Sequence, residues 1–201
     1  MLMISRMPRR SPRKVWRHFI INTHGSWLHG DERGFRSRGH RIHSSGDYRN
    51  PPPPGDHAAL LRYRKKQCPD EVRIDSRLRP IIGRAIVEKL GDLGYRVITV
   101  AVTKIHAHAV TELPDDVPKI KEIVGHAKRV SSRAVKDDLP GTVWSAGCTY
   151  ERISSVGHLH RAYEYVLYKQ GSGAWTWCHA DADISGIFNR KRPRTQKPGR
   201  R

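Results

Sequence analysis

The run Val100-Ala101-Val102-Thr103-Lys104-Ile105-His106-Ala107-His108-Ala109-Val110 limits the fold of this chain more than any other segment. It is rich in β-branched and small apolar residues, which suit a pleated, buried surface. It reads as two strands, Arg96–Val102 and Ile105–Leu113. Side chains alternate faces along a strand, so His106 and His108 point the same way and Ala107 points into the opposite layer. Two neutral imidazoles side by side form half of a divalent-metal site. Two histidines on a sheet face can equally serve packing, so the rest of the chain has to decide between the readings.

The flanking segments supply the other elements. Residues Val15–Thr23 alternate toward Phe19, Ile20 and Ile21 and read as a first strand. Apolar residues then recur with helical spacing at Leu78, Ile81, Ile82, Ala85, Ile86, Leu90 and Leu93, with Pro80 in the first turn and Gly94 as the stop. A second amphipathic helix is expected over Pro118–Val135, turning Ile120, Ile123, Val124, Ala127, Val130 and Ala134 inward. Thr142–Ile153 reads as a strand or hairpin, and Val156–Tyr168 as a third helix stopped by Gly171. Strand, helix, strand, strand, helix, strand and a terminal helix imply an α+β fold. The expected form is a ferredoxin-like or RRM-like antiparallel sheet with helices on one face and a tyrosine-bearing helix near the C-terminus.

Charge narrows the partners. Lysine and arginine number 38 against 19 acidic residues, a formal net charge of +19, which favours polyanions, nucleic acid first. No segment is long and apolar enough to span a bilayer, so no membrane partner is expected. Cys68, Cys148 and Cys178 are scattered and lack metal-finger spacing, which points to a reducing cytoplasm. Residues 1–15 and 179–201 read as basic disordered arms around one domain over 16–178. The Gly, Ser, Pro and charge of residues 27–66 read as a long loop. On the second helix, Lys121, Lys128, Arg129 and Arg133 form a basic stripe suited to a phosphate backbone. A solvated face explains the same stripe. Trp144 is expected in the core, whereas Trp175 and Trp177 are open between packing and base stacking.

The histidine pair has a downstream companion. Histidines number 12, and His158-Leu159-His160 is a second pair. It falls in a helix, where side chains two positions apart diverge by roughly 200° and cannot easily share a metal. That same helix carries Tyr163, Tyr165 and Tyr168. A tyrosine phenolate is a competent nucleophile on phosphorus and forms a covalent intermediate that conserves the phosphodiester energy. Its ordinary pKa near 10 means that a metal or cation must stabilise charge at the phosphate. Two histidines and one further donor would hold Mg²⁺ or Mn²⁺ with positions open to phosphate oxygens.

Three motifs then coincide: Thr23-His24-Gly25-Ser26-Trp27-Leu28-His29-Gly30-Asp31-Glu32-Arg33-Gly34, His106-Ala107-His108, and Tyr165-Val166-Leu167-Tyr168-Lys169-Gln170-Gly171. In this order and spacing the chain resembles the HUH single-tyrosine transposases, and is similar to the REP-associated tyrosine transposases among them, over about Trp16 to Gly173. The resemblance implies a metal-dependent endonuclease and strand transferase acting on single-stranded DNA beside a hairpin, as monomer or homodimer. By that resemblance His106 and His108 are metal ligands, Gln170 the third ligand, and Tyr165 the nucleophile that forms a 5′-phosphotyrosine and releases a 3′-hydroxyl.

One spacing departs from the family pattern. Tyr165 and Gln170 stand five residues apart, about 140° around an ideal helix, rather than one turn. A π-bulge, or a helix ending before Gln170, restores the alignment. Otherwise Lys169 holds the one-turn position as a phosphate clamp, and Tyr163 becomes the runner-up nucleophile. The competing reading is a non-catalytic RRM-like nucleic-acid-binding protein, a degenerate or domesticated copy.

Overall fold

A computed structural model describes residues 13–35, 43–46 and 50–180 of the chain. The expected basic arms lie almost wholly outside the described residues. The order of elements is β1 (Lys14–Asn22), α1 (Ala58–Gln67), α2 (Arg79–Asp92), β2 (Val97–Val102), β3 (His106–Pro114), α3 (Val117–Arg133), β4 (Thr149–Arg152), α4 (Val156–Tyr168) and β5 (Trp175–Cys178). The five strands form one sheet in the order β4-β1-β3-β2-β5, and every neighbouring pair is antiparallel. This is the expected α+β plan, in which each of the crossovers through α2 and α3 skips one strand.

Alternation along the central strands feeds two cores. Phe19, Ile21, Val100, Val102, Ala107, Ala109 and Leu113 pack with Ile82, Ile86 and Leu90 of α2 and Ile120, Ile123, Val124 and Ala127 of α3. Trp16, Ile98, Ala101 and Val110 face the other way and pack with Leu159, Ala162 and Val166 of α4. The expectation of helices on one face therefore holds for α2 and α3 alone. The tyrosine helix covers the opposite face, because its apolar residues recur at helical spacing and meet the second set of strand side chains.

Three further differences have physical causes. The segment 27–66 was expected to be all loop, yet α1 begins within it; none of the helix's residues is buried, so it carries no apolar periodicity to read. Within Thr142–Ile153 only Thr149–Arg152 is a strand, and Trp144 joins the sheet through an isolated bridge to Thr23. On α3, Val130 is exposed and Ser131 lies inward, where its hydroxyl accepts from Trp144 Nε1 at 3.0 Å.

β5 was not anticipated. It extends the β2 edge and turns Trp175 and Trp177 onto the main core. Gly83 of α2 makes room for this, since a Cβ there would run into the Trp175 ring. Trp175 and Trp177 thus serve packing, as does the buried Trp144.

Candidate active site

The turn between β2 and β3 is clamped by Thr103. Its Oγ1 accepts from His106 N at 3.1 Å and donates to the His106 carbonyl at 3.0 Å. The carbonyl of the preceding Ile105 accepts from Thr23 N at 2.8 Å, from Thr23 Oγ1 at 3.1 Å and from Ser26 Oγ at 3.3 Å. The Thr23-His24-Gly25-Ser26 motif therefore braces the start of the histidine strand. The same motif continues into a tight loop in which Arg33 bonds both Asp31 oxygens, at 2.7 and 2.6 Å, and donates to the Ser26 carbonyl at 2.8 Å. The Arg33 guanidinium also lies 4.6 Å over the Trp27 ring. Asp31 and Arg33 thus organise a loop next to the site.

From β3 the two imidazoles project to the α4 side, with ring centroids 4.6 Å apart. Tyr165 of α4 comes to them: its ring lies edge-on to His108 with centroids 5.6 Å apart. Gln170 meets His106, its Oε1 lying 3.3 Å from His106 Nε2. The helix ends at Tyr168, with Lys169 as C-cap, so Gln170 is not held to the helical 100° step. It folds back, and its Nε2 donates to the Tyr165 carbonyl at 2.9 Å. A helix ending before Gln170 is one of the two ways the five-residue spacing can be reconciled.

A fifth side chain belongs to the cluster and carried no recognisable signal in the sequence. His18 of β1 shares a 2.9 Å hydrogen bond with His108, His18 Nε2 to His108 Nδ1. The two rings stack with centroids 5.1 Å apart, and Tyr165 lies 6.0 Å from His18. Only the pairing of β1 with β3, which sets His18 beside Val110 and Ile20 beside His108, brings them together.

Burial keeps these imidazoles neutral. It lowers His108 to about 2, helped by the neighbouring His106 and His18, and lowers His18 to about 4 against the upward pull of Glu151. His106 is lowered too, first by burial and also by the charge of Arg33, while the Gln170 bond pulls the other way. Neutral imidazole is the metal-binding form.

The donor set fits a divalent cation. His108 Nε2 is buried and has no hydrogen-bond partner among the described residues, a costly state for a polar atom. His106 Nε2, which donates to Gln170 Oε1 as it stands, and that oxygen would supply a second nitrogen and a neutral oxygen once the imidazole proton sits on Nδ1. Among the described residues no group of three or more His, Cys, Asp or Glu side chains could hold a metal ion, which leaves the third place to an amide such as that of Gln170.

The remaining candidates separate. Tyr163 packs against the α4 core, and its hydroxyl is pushed up to about 12 by burial and by a hydrogen bond with Cys178. Tyr168 is exposed beyond the cluster. The basic stripe of α3 lies across the sheet from the histidines, because α3 packs on the other face. Within it Lys128 is tied to the chain before β4, donating to the carbonyls of Ser145, at 2.7 Å, and Gly147. Arg129 bonds His126 at 2.9 Å, while Lys121 and Arg133 are exposed. Lys169 stays beside the site as the exposed cap of α4. The second pair, His158 and His160, lies on α4 as expected, with His158 3.6 Å from Glu151.

Solved structures similar to this chain include two transposases. One, the structure of a REP-associated tyrosine transposase bound to a REP hairpin, shares 14% identity and a TM-score of 0.41, over 81% of this chain and 70% of that one. The other, a candidate transposase from Deinococcus radiodurans R1, shares 12% identity and a TM-score of 0.34, over 78% of this chain and 92% of that one. No family model and no curated protein matches the sequence.

Proposed function

We propose that the chain is a tyrosine-dependent DNA endonuclease and strand transferase of the transposase type, acting on single-stranded DNA next to a hairpin. The observation that carries this reading is the packing of the Tyr165 ring on His108, with Gln170 on His106. A hydroxyl nucleophile and a neutral N,N,O donor set then share one sheet face. His106 Nε2, His108 Nε2 and Gln170 Oε1 would hold Mg²⁺ or Mn²⁺. When bound, the cation supplies polarisation of the scissile phosphate and stabilisation of the leaving oxygen.

The protein's own residues do the rest. The Tyr165 oxygen, its proton passed to water that can return it to the leaving oxygen, attacks phosphorus and forms a Tyr–O–P bond. The bond from phosphorus to the 3′-oxygen breaks, and that oxygen leaves as a 3′-hydroxyl after taking a proton. The 5′-phosphate stays on Tyr165 until a second 3′-hydroxyl attacks it; the Tyr–O–P bond then breaks, the phosphodiester is restored, and the proton of the attacking hydroxyl is returned, through water, to the Tyr165 oxygen. Half-exposed at 46%, Tyr165 is reachable by a bulky strand. Lys169, next to Gln170, offers a cation to a flanking phosphate. The net charge of +19 draws the polyanion in.

The test is incubation with single-stranded hairpin DNA and Mn²⁺, followed by a denaturing gel. A covalent protein–DNA band that chelation abolishes is expected. Salt-sensitive binding with no covalent band under any metal would instead support a non-catalytic nucleic-acid-binding protein.

A further inference from the structure

His18 is the one member of the cluster with no part in the scheme above, and its geometry assigns it one. A neutral imidazole carries one N–H and one lone pair on its two ring nitrogens. The His18 Nε2 and His108 Nδ1 atoms, 2.9 Å apart, allow two arrangements. If His18 donates, His108 carries its proton on Nε2. That nitrogen is buried without a partner among the described residues, so an N–H there would be an unsatisfied donor, and no lone pair would face His106. If His108 donates from Nδ1, its Nε2 becomes a bare lone pair on the side of the cluster. The second arrangement strands no donor and makes His108 a ligand.

His18 cannot easily be a ligand itself. Its Nε2 is occupied by His108, and no group of three histidines among the described residues could hold a metal ion. It is held from several sides: it is buried, stacks on His108 at an interplanar angle of 24°, lies edge-on to Tyr165 and has Glu151 opposite it in the β1–β4 register. Its ring is therefore a fixed acceptor. Metal-binding histidines commonly give their second N–H to a carboxylate or carbonyl that orients them.

We propose that His18 is a positioning residue that accepts the His108 Nδ1–H and thereby leaves the His108 Nε2 lone pair free for a divalent cation. The inference rests on the metal-site reading given above, and its first test needs no metal. Long-range ¹⁵N–¹H correlation spectra of the metal-free chain near neutral pH report each histidine's tautomer. His108 is expected as the Nδ1–H form in the wild type, and as the Nε2–H form or a mixture in His18→Phe, which keeps the stack and removes the acceptor. His18→Gln, whose amide oxygen can accept, is expected to restore the Nδ1–H form and guards against a phenylalanine variant that fails to fold.

Mn²⁺ titration is the second readout, with an expected loss of ~10–100-fold in affinity for His18→Phe and recovery in His18→Gln. A wild-type His108 in the Nε2–H form would overturn the proposal, as would a His18→Phe variant with unchanged tautomer and Mn²⁺ affinity. Failure of the wild type to bind Mn²⁺ at all would overturn the metal-site reading and the proposal's metal role together. The tautomer spectrum distinguishes that case, because it would still show His108 donating to His18.

Discussion

Gln170 bonds the carbonyl of Tyr165, its Nε2 donating at 2.9 Å across five residues of chain. This contact adds a second donor to the carbonyl on which Lys169 N–H closes the last turn of α4, at 3.1 Å, and aims the amide oxygen at His106. The proposed nucleophile and third donor are thus linked by one interaction at the helix end, on a carbonyl that also accepts the Lys169 N–H.

Gln170→Ala removes both contacts at once. Stability should fall by only about 1 kcal/mol, since the lost hydrogen bond is exposed. Mn²⁺ affinity, read by isothermal titration calorimetry, should fall by about tenfold or more. Gln170→Glu should bind Mn²⁺ at least as well as the wild type, because a carboxylate oxygen adds charge at the same reach. Unchanged affinity in Gln170→Ala would remove Gln170 from the donor set.

Acid should destabilise the metal-free protein through the histidine cluster. His18 titrates at about 4 and His108 at about 2 in the folded chain, against 6.5 when unfolded. Below 6.5 the unfolded chain binds more protons, so stability rises with pH across this window. The contribution of the cluster is complete above pH 6.5 and is lost as pH falls toward the folded values. Asp31 and Asp75, whose carboxyls are lowered from 3.8, add to the loss at still lower pH. Urea midpoints should therefore drop between pH 7.5 and 4.5, and less so in His18→Gln. A flat profile over that range would contradict the burial of the cluster.

Two helix glycines should respond oppositely to alanine. Gly83 sits against the Trp175 ring, so Gly83→Ala should destabilise by about 1–3 kcal/mol and disturb tryptophan fluorescence as β5 shifts. Gly91, also on α2, has nothing among the described residues within 4 Å of an added Cβ. Gly91→Ala should stabilise by ~0.5–1 kcal/mol. Thermal unfolding of the two variants checks the pair, and equal effects would contradict the packing of β5 on α2.

Where order is local, the residues announce it. His106 and His108 share a face because strand alternation is a two-residue rule, and α2, α3 and α4 show themselves through apolar spacing. Helix α1 has no buried residue and so nothing periodic to display, and β5 is a four-residue edge strand whose tryptophans pass for stacking residues. Apolar spacing says that a helix buries a stripe, but not against which face of a sheet. That is why α4 could be placed in the chain and not on the sheet. His18 meets His108 across 90 residues, through a strand register that no local pattern encodes. The basic stripe of α3 is visible in sequence, yet only the fold shows that it lies across the sheet from the histidines.

The Tyr165 hydroxyl is proposed as the nucleophile facing the two histidines. Its most direct test is peptide mass spectrometry of the covalent adduct formed on hairpin single-stranded DNA, after trimming the DNA and digesting the protein. A nucleotide phosphate on Tyr165 and loss of the adduct in Tyr165→Phe are expected. An adduct mapped to Tyr163 or Tyr168, or one that persists in Tyr165→Phe, would contradict that assignment.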